Sequence, residues 1–97
     1  MRHFRVALYD VTSGTADEVI SIARAGFKPI VETQPGFVRY EVGELDNGGV
    51  VSFSIWDTAA EAQRAVALAD EWVKDNLADR ELLRDEHTGD IAWDEPS

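Results

Sequence analysis

Ninety-seven residues, 44% of them hydrophobic, suit one small domain with a single core, and 1–97 is read as that domain. Nineteen acidic residues against nine basic ones give a net charge of -10; a phosphate backbone repels such a chain, so nucleic acid is not an expected partner. No run of about 18 apolar residues is present, so no membrane helix is expected. The absence of cysteine removes disulfide and thiolate chemistry and fits a reducing cytoplasm.

Arg2 to Val11 reads as the first strand, with Phe4, Val6 and Leu8 on one face and His3, Arg5, Ala7 and Tyr9 on the other. Its apolar run is short and no small-residue cleavage site follows, so it is not a signal peptide. Ser13-Gly14 turns the chain. Thr15 and Glu18 form a T-x-x-E capping box that opens a helix. Val19, Ile22, Ala23, Phe27, Ile30 and Val31 recur at helical spacing. Pro29 lies inside that stripe and predicts a kink, because it lacks an N–H and clashes with the preceding turn.

Phe37 to Leu45 is the second strand, and Asp46-Asn47-Gly48-Gly49 is a hairpin turn. Gly48 to Glu61 then reads as a strand handing over to a helix. Val51, Phe53 and Ile55 alternate with Ser52, Ser54 and Trp56 before Thr58 and Glu61 form a second capping box. The helix that follows carries Ala62, Ala65, Val66, Ala69, Trp72, Val73 and Leu77 on one stripe, and its alanines permit close approach to a sheet. The charged stretch from Asp79 to Glu86 reads as a helical extension or loop. Thr88 to Trp93 reads as the last strand, and Asp94 to Ser97 as a tail expected to fray.

The order β-α-β-β-α-β predicts an α+β fold of the ferredoxin-like type, an antiparallel sheet with both helices on one face. The expected helix-covered face is Phe4, Val6, Leu8, Val38, Tyr40, Val42, Val51, Phe53, Ile55 and Ile91. The expected opposite face is His3, Arg5, Tyr9, Arg39, Glu41, Ser52, Ser54, Trp56 and Asp90. That second face mixes aromatics with charges. Such a mixture suits a wet cavity or a face buried between two subunits.

Candidate binding residues come from it: Trp56, Tyr9, Arg5, Arg39 and His3. Arginine can stabilise developing negative charge, and a tyrosine can donate a proton or hold a phenolic ligand. Arg5, Arg39 and Glu41 can equally form an ion pair across neighbouring strands, and Trp56, Tyr9 and His3 can be plain sheet residues. Trp72 and Phe27 belong to the core or to a pocket wall. His3 and His87, the only histidines, are expected at opposite ends of a strand pair, so no metal site is expected. Nor is there a P-loop, a G-x-G-x-x-G stretch or a Ser-His-Asp arrangement. No catalytic residue can be named from the residues alone.

Pro35-Gly36-Phe37 before the second strand and Trp56-Asp57-Thr58 at the end of the third resemble motifs of the antibiotic biosynthesis monooxygenase superfamily. With the order of elements, the similarity spans about Arg2 to Trp93. The resemblance implies a homodimeric α+β barrel with a small-molecule pocket, and Trp56 matches a pocket-lining tryptophan. It implies either a cofactor-independent oxygenase acting on an aromatic or enolisable molecule, or a non-catalytic binding or structural module of the same fold. Haem-degrading members carry a histidine about ten residues after that tryptophan and an asparagine on the first strand. Here the corresponding positions read Arg64 to Leu68, and Ala7 with Tyr9, so haem degradation is disfavoured.

Overall fold

The computed structural model describes residues 1–93; the tail expected from Asp94 onward lies outside them. Four strands, β1 (His3–Val11), β2 (Phe37–Glu44), β3 (Val50–Trp56) and β4 (Glu81–Asp90), form one antiparallel sheet in the order β2-β3-β1-β4. Three helices complete it: α1 (Ala16–Gly26), α2 (Lys28–Val31) and α3 (Ala59–Asn76). This is the ferredoxin-like α+β layout that the order of elements predicts.

Both capping boxes start helices where expected. The Glu18 amide donates to the Thr15 hydroxyl at 3.2 Å, and the Glu61 amide donates to that of Thr58 at 3.2 Å. Each satisfies one of the amides that a helix start leaves without an internal partner. The predicted change of helical path near Pro29 falls at Phe27. There α1 ends, and a separate short helix begins with the proline in its first turn, where no N–H is needed.

The two tripeptide motifs meet. The Asp57 amide donates to the Gly36 carbonyl at 2.9 Å, and Phe37 packs edge-on against Trp56 with ring centroids 5.6 Å apart. Gly36 holds φ at +79°, and a Cβ there would run into the Glu61 carboxylate. The motifs therefore form one joint between the start of β2 and the start of α3.

Two expectations need correction. The first concerns the strand faces. In β1 and β3 the helices cover Arg5, Ala7, Tyr9, Val50, Ser52 and Trp56, not Phe4, Val6, Leu8, Val51, Phe53 and Ile55. Tyr40 and Val42 of β2 lie on the helix side as expected. The cross-strand pairs Phe4–Ile55, Val6–Phe53 and Leu8–Val51 line the open face, where all six residues remain half-buried in the single chain.

The second correction concerns β4, which begins at Glu81 rather than Thr88 and ends at Asp90, so Asp79–Glu86 is not a helical extension. Its exposed charges belong to an edge strand, where they discourage pairing with other chains. Ile91 is half-buried just past the strand, whereas Trp93 is exposed.

The core lies in two patches between sheet and helices. One gathers Ala7, Tyr9, Ala16, Val19, Val50 and Leu77; the other gathers Phe27, Val31, Trp56 and three alanines of α3. Trp72 joins both, packing on Phe27 with centroids 5.4 Å apart. Gly26 makes room for it, since a Cβ there would lie 2.6 Å from Trp72 Cζ2.

Candidate functional site

Because β1 and β3 turn small and polar side chains toward the helices, the two layers do not close completely. A cavity of about 50 Å³ remains, with Arg5, Tyr9, Tyr40, Ser52, Ser54 and Glu81 as its polar lining. Phe27, Trp56, Trp72, Val73 and Leu77 supply the apolar walls. A second space of about 130 Å³, bounded by Ile20, Ala23, Arg24, Phe27, Lys28, Tyr40 and Val42, lies against it between α1 and β2. Phe27, Tyr40 and Val42 line both, so the two spaces adjoin.

Arg5 is 7% exposed. Its Nε donates to Glu86 Oε2 at 3.0 Å, and its Nη2 lies 3.7 Å from Asp70 Oδ1. The cation is thus compensated by β4 and α3 rather than by the expected cross-strand partner. Arg39 and Glu41 pair with each other instead, at 2.7 Å, out in solvent. Burial pushes the Tyr9 phenol up, and the Arg5 guanidinium partly offsets it. Burial also pushes Tyr40 up to about 12, so both phenols stay protonated and able to donate at neutral pH. The Trp56 indole N–H donates to the Ser54 hydroxyl at 3.0 Å, which fixes the ring at one end of the cavity.

Of the five candidates from the sequence, Arg5, Tyr9 and Trp56 line the cavity together. His3 and Arg39 do not. The His3 Nδ1 is held by Asp90 at 2.9 Å beyond the cavity's end, and Arg39 lies opposite Ile55 on the open face. The other histidine, His87, pairs with Asp85 at 3.0 Å. Among the described residues no group of three or more His, Cys, Asp or Glu side chains gathers to hold a metal ion. No described helix is long and apolar enough to cross a membrane.

Sequence reasoning missed Glu81. It is 6% exposed, and its carboxyl is pushed up to about 7 by burial alone. The charged stretch from Asp79 to Glu86 reads in the sequence as a helical extension or loop, and no local signal marks Glu81 as buried; its pairing with Val11 of β1 does that.

Comparison with known proteins places this geometry. The protein resembles the cofactor-independent oxygenase SnoaB of Streptomyces nogalater at 19% identity and a TM-score of 0.78, with 99% of this chain and 98% of that one covered. It resembles a Chloroflexus aurantiacus protein described as a candidate antibiotic biosynthesis monooxygenase at 15% identity and a TM-score of 0.74, covering 99% and 98%. It also resembles PA3566 of Pseudomonas aeruginosa at 14% identity and a TM-score of 0.62, covering 91% and 89%. At such identities these likenesses show the fold alone. No curated protein matches the chain. The profile of the antibiotic biosynthesis monooxygenase family matches residues 2–70, well over half of the chain. The chain therefore belongs to the antibiotic biosynthesis monooxygenase family.

Proposed function

We propose that the protein is a small cofactor-independent monooxygenase acting on an aromatic or enolisable molecule in the cavity between sheet and helices. The observation that carries this is the lining itself. A buried guanidinium, two protonated phenols and two serine hydroxyls converge on one space walled by Phe27, Trp56 and Trp72. Such a site can hold a flat apolar ring and stabilise negative charge on an oxygen attached to it. A substrate anion formed there can itself supply the electrons that dioxygen needs. A methylene would become a carbonyl, with one oxygen atom retained and the other leaving as water. Arg5, Tyr9 and Trp56 are the substrate-binding residues in this proposal; His3 and Arg39 take no part.

The working unit is proposed to be a homodimer in the cytoplasm. The open face of Phe4, Val6, Leu8, Val51, Phe53 and Ile55 is more apolar than a water-facing sheet needs to be. Pairing two such faces about a two-fold axis would close a barrel and should bury about 1,200 Å² or more. Sedimentation should then show a dimer at micromolar concentration, and a monomer would contradict this assembly.

The cavity volume favours a second reading. About 50 Å³ is well below the roughly 300 Å³ of ordinary ligand pockets, which suits a non-catalytic module of the same fold, either structural or binding a molecule smaller than an ordinary ligand. Oxygen uptake by the flavin-free, chelator-treated protein with enolisable aromatic ketones decides between the two. Consumption of dioxygen supports the enzyme, and binding without consumption supports the module.

A further inference from the structure

We propose that Glu81 is the proton acceptor of this cavity, removing the acidic C–H proton of a bound aromatic ketone so that its enolate forms opposite Arg5. The carboxylate is placed by the joint between α3 and β4. The Glu81 amide donates to the Leu77 carbonyl at 3.0 Å, and the preceding Arg80 carbonyl accepts from the Thr12 amide at 2.7 Å. Arg80 does not neutralise its neighbour, because its guanidinium is turned to Glu18 at 3.2 Å.

Glu81 is buried, yet its carboxyl makes no hydrogen bond or ion pair with any described residue. A carboxylate buried for structure is normally paired. No described buried polar side-chain atom is sealed off without a partner, so the Glu81 oxygens stay reachable, on a residue that lines the cavity. A fold that keeps an unpaired acid facing an apolar-walled space leaves it available to a ligand.

The surroundings suit proton transfer. Tyr9 of β1 and Tyr40 of β2 are the titratable groups that act with Glu81 across the cavity. Asp70 of α3 and Glu86 of β4 are both turned to Arg5. The faces of α1 and α3 toward the cavity are apolar there, through Val19, Val73 and Leu77. No fixed cation therefore holds the Glu81 proton affinity down, and burial raises it to about 7, matched to a general base at neutral pH. In the step itself the ligand's C–H bond breaks and its proton passes to the carboxylate. The electron pair moves onto the carbonyl oxygen, where Arg5 opposes the new charge.

Glu81 can act this way only if the cavity is the reaction site proposed above, so the test omits oxygen. The probe is 2-indanone, a bicyclic ketone with acidic benzylic protons. Its hydrogen–deuterium exchange is followed by proton NMR in D2O under argon, and binding is followed by tryptophan fluorescence. The protein should accelerate exchange, with a rate that rises through about pH 7. Glu81→Gln should bind the probe equally well but lose about 100-fold of the protein-dependent rate. Glu81→Asp should keep part of the rate and the same rise with pH, which guards against a folding defect in the first variant. Undiminished exchange in Glu81→Gln, or a wild-type protein that fails to bind the probe or to accelerate its exchange, would overturn the assignment. Full exchange without oxygen uptake in air would sink the oxygenase alone. Full oxygen uptake by Glu81→Gln would sink the proton acceptor alone.

Discussion

Glu81→Gln should stabilise the protein, and only above a definite pH. In the unfolded chain the carboxyl titrates at 4.5; in the fold burial raises it to about 7. The folded state therefore holds the proton more tightly than the unfolded state does. Between these values the unfolded chain carries fewer protons, so stability falls as pH rises and levels off above about 7. At about 1.36 kcal/mol per pKa unit the full penalty on the ionised acid is about 3 kcal/mol, and water reaching the cavity reduces it to about 2. Glutamine keeps the shape and removes the charge. Urea denaturation of both proteins should thus show little difference near pH 4.5. The variant's advantage should grow to about 2 kcal/mol at about pH 8, or roughly 10 °C in Tm for a domain of this size. Acid effects common to both chains cancel in the difference. An advantage that does not change with pH, or a variant less stable at high pH, would refute an unpaired buried carboxyl at this position.

Other substitutions probe the packing. Gly26→Ala puts a Cβ 2.6 Å from Trp72 Cζ2 and should cost about 1–3 kcal/mol, read by thermal unfolding together with a shift in tryptophan fluorescence. Phe53→Glu on the open face should give a folded monomer by sedimentation and circular dichroism, whereas a persistent dimer would place the interface elsewhere. Thr58→Ala removes the hydroxyl that receives the Glu61 amide and should cost about 1 kcal/mol in urea denaturation.

The helices were legible because their signals are local. Thr15 with Glu18 and Thr58 with Glu61 mark starts by hydrogen bonds three residues apart, and Pro29 marks a break by its own ring. The faces of β1 and β3 were not legible, because alternation tells which residues share a face but not which face meets the helices. The more apolar set, Phe4, Val6, Leu8, Val51, Phe53 and Ile55, would ordinarily be the core. Here the helices take Arg5, Ala7, Tyr9, Ser52 and Trp56, small and polar groups that leave room for a cavity. Arg5, Tyr9 and Trp56 could be nominated for their chemistry. Glu81 could not, since its burial depends on β4 pairing with a strand seventy positions earlier, Val11 opposite Glu81.

The central claim is that this cavity carries out oxygen chemistry with no cofactor. The direct measurement is an oxygen-electrode trace of the flavin-free, chelator-treated protein given enolisable aromatic ketones of one to three rings. One dioxygen consumed for each carbonyl formed, with the rate reduced in Glu81→Gln, is the predicted result. Saturable binding of these ketones in the cavity, with no oxygen consumed by any of them, would contradict it.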